Sequence, residues 1–148
     1  MRSAVLLLPL LVFGCAKSET PRSGSTAAAA PMAALTDADV AGTWTGTASM
    51  AGSDSVVVHW TQICAAGTCR GTSREDLKDT VPSTYTIMGD SIVGQSQPHA
   101  VPGMAAQIVE HWTVHPAGGK LTGTSQYTLA SKPDSVVARF TFEGAKQP

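Results

Sequence analysis

The sequence predicts an all-β domain, an antiparallel meander of eight strands closed into a barrel. Three observations carry this. His59-Trp60-Thr61, leading through a turn to Gly71-Thr72-Ser73, recurs fifty-two positions later as His111-Trp112-Thr113 leading to Gly123-Thr124-Ser125. Ala65 and Gly67 fall on Ala117 and Gly119 in the same register, so one hairpin occurs twice within the fold. Val, Ile, Thr and Gly are spread in short runs with no long helical repeat of apolar residues. Eight such runs follow one another with short connections, and closure would remove the edges that an open sheet leaves unpaired.

Upstream of the barrel, the chain of 148 residues opens with Arg2 and an apolar run from Ala4 to Phe13. That run is about half of the ~20 residues that a membrane-spanning helix needs, and it reads as a secretory leader over 1–14. It ends in Val12-Phe13-Gly14-Cys15, which resembles the bacterial lipobox, although Phe13 is larger than is usual there. The resemblance implies lipidation of Cys15, membrane attachment through it and, with Ala16 rather than Asp following, an outer-membrane home facing the periplasm. The plainer alternative is an ordinary signal peptide with an incidental Cys.

Residues 15–34 contain Lys, Ser, Glu, Thr, Pro and an Ala/Pro run, with little to bury, and are expected to form a disordered linker. Such a tether has a root-mean-square reach near ~25 Å. The folded domain is expected over 35–148.

Ten Lys and Arg stand against eleven Asp and Glu. Loss of Arg2 with the leader leaves nine against eleven, a net charge of −2 with His neutral, and no basic footprint for nucleic acid. If Cys15 is lipidated, the other two of the three Cys, Cys64 and Cys69, remain as a pair. Both stand at the ends of one tight turn, within bridging range across a hairpin, and an oxidising compartment would keep the bond. A metal or redox site is the alternative, but there is no C-x-x-C and no second ligand pair.

Thr36-Asp37-Ala38-Asp39 reads as a capped single helical turn, after which Gly42-Thr43-Trp44 opens the first strand. The strands are expected over 42–49, 54–63, 69–75, 82–88, 91–97, 106–115, 120–129 and 135–143. Asp54-Ser55, Asp90-Ser91 and Asp134-Ser135 each stand at a strand start and suit Asx-type turns.

A short helical turn followed by Gly42-x-Trp44 on the first strand, with an eight-strand meander after it, resembles the lipocalin or calycin group. Leu121-Thr122-Gly123-Thr124 also resembles avidin-type barrels. The likeness spans residues 36 to 143 and implies a barrel that holds a small apolar or amphipathic ligand. In lipocalins an Arg near the end of the last strand lies over the Trp. Arg139 is the candidate by position, but alternation turns Val136, Ala138, Phe140 and Phe142 inward and Arg139 outward.

The same alternation orients the barrel. Turns after the second, fourth and sixth strands gather beside the N-terminus at a closed end, where Trp44, Trp60 and Trp112 are expected to form an aromatic floor. The connection carrying Pro98, Val101, Pro102 and Met104 lies at the opposite mouth.

If Cys64 faces Cys69, paired residue numbers across that hairpin sum to 133, and the repeat carries the sum to 237 for the second hairpin, so that Glu110 faces Tyr127. Glu110, Tyr127, Tyr85 and Met104 are the ligand-binding candidates, and a Glu110–Tyr127 hydroxyl contact would satisfy a buried carboxyl. The alternative is a structural polar pair.

His111 and His115 lie about 13 Å apart on a strand and cannot share an ion, so no metal or other cofactor is expected. No Gly-x-Ser-x-Gly elbow accompanies the Ser, His and Asp residues, and an enzyme is not expected. Two classes remain: a barrel that binds a small ligand, or a structural or protein-interaction envelope protein with a filled core. An eight-stranded barrel has room for either.

Overall fold

The computed structural model describes residues 34–72 and 80–148. The expected leader, Cys15, nearly all of the expected linker and the last residues of the expected third strand lie outside the described residues. A single helical turn, α1 (Asp37–Val40), precedes eight strands: β1 (Gly42–Met50), β2 (Val56–Ala65), β3 (Thr68–Thr72), β4 (Val81–Met88), β5 (Ser91–Ser96), β6 (Ile108–Ala117), β7 (Lys120–Leu129) and β8 (Lys132–Lys146). Every neighbouring pair is antiparallel, and β8 returns to β1, closing an up-and-down barrel.

The hairpin registers follow the repeat. Cys64 pairs with Cys69 and the two form a disulfide, their Cα atoms 4.1 Å apart. In the second hairpin Glu110 pairs with Tyr127 and Trp112 with Ser125. The register slips between Ala48 and Ser49 against β2, and again around Thr128 against β8. These irregularities bend the long strands that the barrel needs.

One end is closed. Val40, Trp44, Tyr85, Ile92, Trp112, Val114 and Leu121 pack there with the disulfide, and Trp60 and Phe142 lean against them. The three indoles thus share one cluster, with Trp60 set opposite Gly46, one inward position further along β1 than Trp44. Glycines make room for these rings. A Cβ at Gly94 would overlap the Trp112 indole, and one at Gly46 or Gly144 would overlap Trp60. The packing is therefore large on one strand and absent on its neighbours, the alternation by which close-packed interiors fill without voids. Trp60 meets Phe142 edge to face at 5.9 Å, and its Nε1 is buried without a hydrogen-bond partner among the described residues.

Helix α1 seals this end through side chains. The Trp44 indole N–H donates to the Val40 carbonyl at 2.8 Å, and the Tyr85 hydroxyl donates to the Asp37 carboxylate at 2.8 Å. The Asp39 carboxylate accepts from both the backbone N–H and the hydroxyl of Thr36, which holds its pKa below the ordinary carboxylate value. Lys146 Nζ donates to the carbonyls of Ala38 and Asp39 and lies 5.6 Å from the centre of the Trp44 ring.

Candidate functional site

The candidate site is built around Glu110 on β6 and its partner Tyr127 on β7. Beyond the Gln95–His111 pair, β5 and β6 part, and the Glu110 N–H, which no longer meets a strand partner, donates to the Ser96 hydroxyl at 2.9 Å. The chain leaves as a loop whose base is tied by two backbone hydrogen bonds between His99 and Ile108, at 3.0 and 2.9 Å. His99 is thereby fixed at the rim. Its Nδ1 stands 3.0 Å from the Gln97 carbonyl, a group that only accepts, so Nδ1 is the donor in that contact.

Glu110 projects inward from β6, enclosed by the barrel wall. Burial raises its carboxyl pKa above the ordinary value, and the neighbouring Ser125 hydroxyl and the His99 ring work in the opposite direction. Among the described residues no Lys or Arg forms an ion pair with it. Tyr127, directly opposite, has its phenol pKa raised by burial first and by the Glu110 charge second. The Tyr127 ring packs on Phe140 at 4.9 Å between centres and meets His99 edge to face at 6.5 Å. Ile108, fully buried, closes the cluster from β6.

Ser125, rather than the expected Tyr127, supplies the hydroxyl beside the Glu110 carboxyl. The reason is length. Directly opposed side chains start about 5 Å apart, so a tyrosine ring reaches past its partner, whereas the short diagonal neighbour two residues away lies within range.

The other candidates separate. Tyr85 is buried in the closed-end cluster with its hydroxyl committed to Asp37, far along the barrel from the mouth loop. Met104 is half-exposed in the β5–β6 loop, where its N–H donates to the Val101 carbonyl at 3.1 Å. Trp44, Trp60 and Trp112 belong to the closed-end cluster. Lys146 was missed, because Gly144 reads as the end of the last strand; continued alternation through Phe140, Phe142 and Gly144 carries Lys146 inward. It takes the position over the Trp44 ring that the lipocalin resemblance offered to Arg139, which is exposed.

His111 and His115 face outward and bond separately, to Thr128 at 3.3 Å and to Ser91 at 3.0 Å. Among the described residues no three His, Cys, Asp or Glu side chains gather as a metal site. A groove of about 680 Å³ crosses the outer wall, between a row containing Gln95, His111 and Arg139 and a row containing Thr113, Thr124 and Thr141.

Comparison with protein-family models, with characterised proteins and with solved structures gives no match.

Proposed function

We propose that this chain is an envelope-anchored bacterial lipoprotein whose lipocalin-like barrel takes a small apolar or amphipathic ligand in its open half, with the ligand's polar end toward Glu110 and Tyr127. The single observation that carries the reading is Glu110: an inward carboxyl, enclosed and raised in pKa, with no cation against it among the described residues. Burying such a group costs stability unless it is paired and hydrogen-bonded, and a carboxyl perturbed by desolvation is a functional-site candidate. The aromatic wall of Tyr127 and Phe140 supplies apolar contact beside it. Envelope attachment rests on the sequence from Ala4 to Cys15, and the outer-membrane placement on Ala16.

A second reading, a structural or interaction protein with a filled barrel, is favoured by a different observation. The indoles of Trp60 and Trp112 occupy the space over Gly46, Gly144 and Gly94, and a groove of about 680 Å³ lies on the outer wall. Native mass spectrometry of the protein purified from membranes separates the two. A co-purified small molecule lost on Glu110→Gln supports the ligand reading; a ligand-free protein that binds neither decanol nor its charged analogues in titration supports the filled barrel.

A further inference from the structure

We propose that the groove on the outer wall binds a linear glycan that carries a carboxylate on some of its sugar units. This surface lies apart from Glu110 and Tyr127, and its use does not depend on whether the interior takes a ligand. The groove is a product of register. Continuous pairing from β4 to β8 sets Thr84, Gln95, His111, Gln126 and Arg139 side by side as one ridge. Two residues along each strand, Thr86, Val93, Thr113, Thr124 and Thr141 form a second ridge. Alternation points both sets outward, and a trough of about 680 Å³ lies between them. Neighbouring strands lie about 4.8 Å apart, so a trough that crosses five of them runs for roughly 19 Å, with ridges roughly 7 Å apart. A sugar unit in an extended glycan advances by about one strand spacing, which matches the trough to a segment of about four units.

The chemistry of the ridges narrows the occupant. The lining contains no Asp or Glu and one guanidinium, Arg139, in a chain whose acidic residues outnumber its basic ones. Among the described residues, the side chains of Gln95, Gln126, Arg139, Thr113, Thr124 and Thr141 have no hydrogen-bond or ion-pair partner within the protein. His111 is held between the two glutamines by its Nε2 contact with Thr128 at 3.3 Å. A hydroxyl both donates and accepts, and a side-chain amide does so through two atoms, so the ridges answer a ligand dense in hydroxyls and acetamido groups. Arg139 adds a planar donor fork for a carboxylate.

Other classes fit less well. A closed barrel offers no free edge along which an extended peptide could add a strand. Val93 is the one apolar side chain of the two ridges, too little surface for a lipid chain. A nucleic acid, charged at every unit, would set several phosphates against a single guanidinium. A glycan with scattered carboxylates meets one cation and a row of neutral donors and acceptors on either side.

The test titrates four probes into the full chain by calorimetry at physiological ionic strength: hyaluronan tetrasaccharide, its carboxyl-reduced form, free glucuronate and a heparin-derived tetrasaccharide. Hyaluronan tetrasaccharide is expected to bind at least tenfold more tightly than the reduced form and than glucuronate. Arg139→Gln should bring its affinity down to that of the reduced form with thermal stability unchanged, and Thr124→Val should weaken both severalfold. Arg70→Gln removes an exposed guanidinium outside the trough and should leave the affinity unchanged. Equal binding of the acidic and reduced forms or of glucuronate, an equal loss in Arg70→Gln and Arg139→Gln, tightest binding of the heparin fragment, or binding of none of the four overturns the proposal.

Discussion

Glu110 and Tyr127 face each other across the β6–β7 pair, and the charge on the carboxyl helps to keep the phenol protonated. Each group is an acid whose ionisation the barrel opposes, mainly by burial. The pair is thus a place where burial disfavours the ionised form of both groups.

The first consequence is a pH dependence. The folded-state pKa of Glu110 lies above its unfolded value, so between those two values the folded chain holds a proton that the unfolded chain has released. Stability contributed by this group is present below the unfolded pKa and is lost as pH rises through the folded one. Glu110→Gln should therefore be more stable than wild type at pH 7 and lose that advantage at pH 4. Chemical denaturation at the two pH values measures it; a variant less stable at pH 7 than at pH 4, relative to wild type, would mean that the carboxylate is held charged in the fold.

A second prediction concerns the fit of Gly94 beneath the Trp112 indole. Gly94→Ala should cost about 1–3 kcal/mol by overpacking, and Trp112→Phe in the same chain should recover part of that loss. A Gly94→Ala protein with unchanged thermal stability would place the ring elsewhere.

At the closed end, Trp44→Ala removes a buried ring together with its hydrogen bond to Val40 and its contact with Lys146. The expected loss is about 3–5 kcal/mol, a large part of the stability of a small domain. Lys146→Met keeps the apolar stem and should cost about 0.5–1 kcal/mol. Denaturant titration of both variants orders the two effects, and a larger loss for Lys146→Met would reverse the account of this end.

The Cys64–Cys69 bridge closes a short loop, for which the chain-entropy estimate is about 2 kcal/mol. The double variant Cys64→Ala, Cys69→Ala should fold and lose that amount. Unfolding of the reduced protein at 25 °C would show that the bridge also holds the β3–β4 side of the barrel together.

Lipidation is tested separately. Cys15→Ser should release the domain from the membrane fraction into the soluble periplasm of a bacterial host, whereas a variant that stays in the membrane fraction would remove Cys15 as the anchor.

Much of the fold was legible because a repeat and a cysteine pair reinforce each other. The spacing of His59 and His111 identified two equivalent hairpins, and the bridge between Cys64 and Cys69 set the register of one and, by translation, of the other. That is why Glu110 could be placed opposite Tyr127. The site was less legible. Ser125 and His99 reach Glu110 by a diagonal and by a loop, neither of which strand alternation encodes. Tyr85 was a candidate alongside Tyr127, but its hydroxyl meets Asp37 of α1, a contact across 48 positions that no local spacing announces. Lys146 was hidden by Gly144, a residue that reads as a break and instead makes room for Trp60.

The most direct test of the account is an amide-shift map by NMR of the uniformly labelled domain titrated with decyltrimethylammonium and, separately, with decanol. A ligand site in the open half predicts saturable changes clustered at Met104, Ile108, Glu110, Tyr127 and Phe140, with His111, Thr113 and Gln126 on the outer wall unmoved. Saturable changes centred on that outer wall, with Glu110 and Tyr127 unaffected, would contradict it.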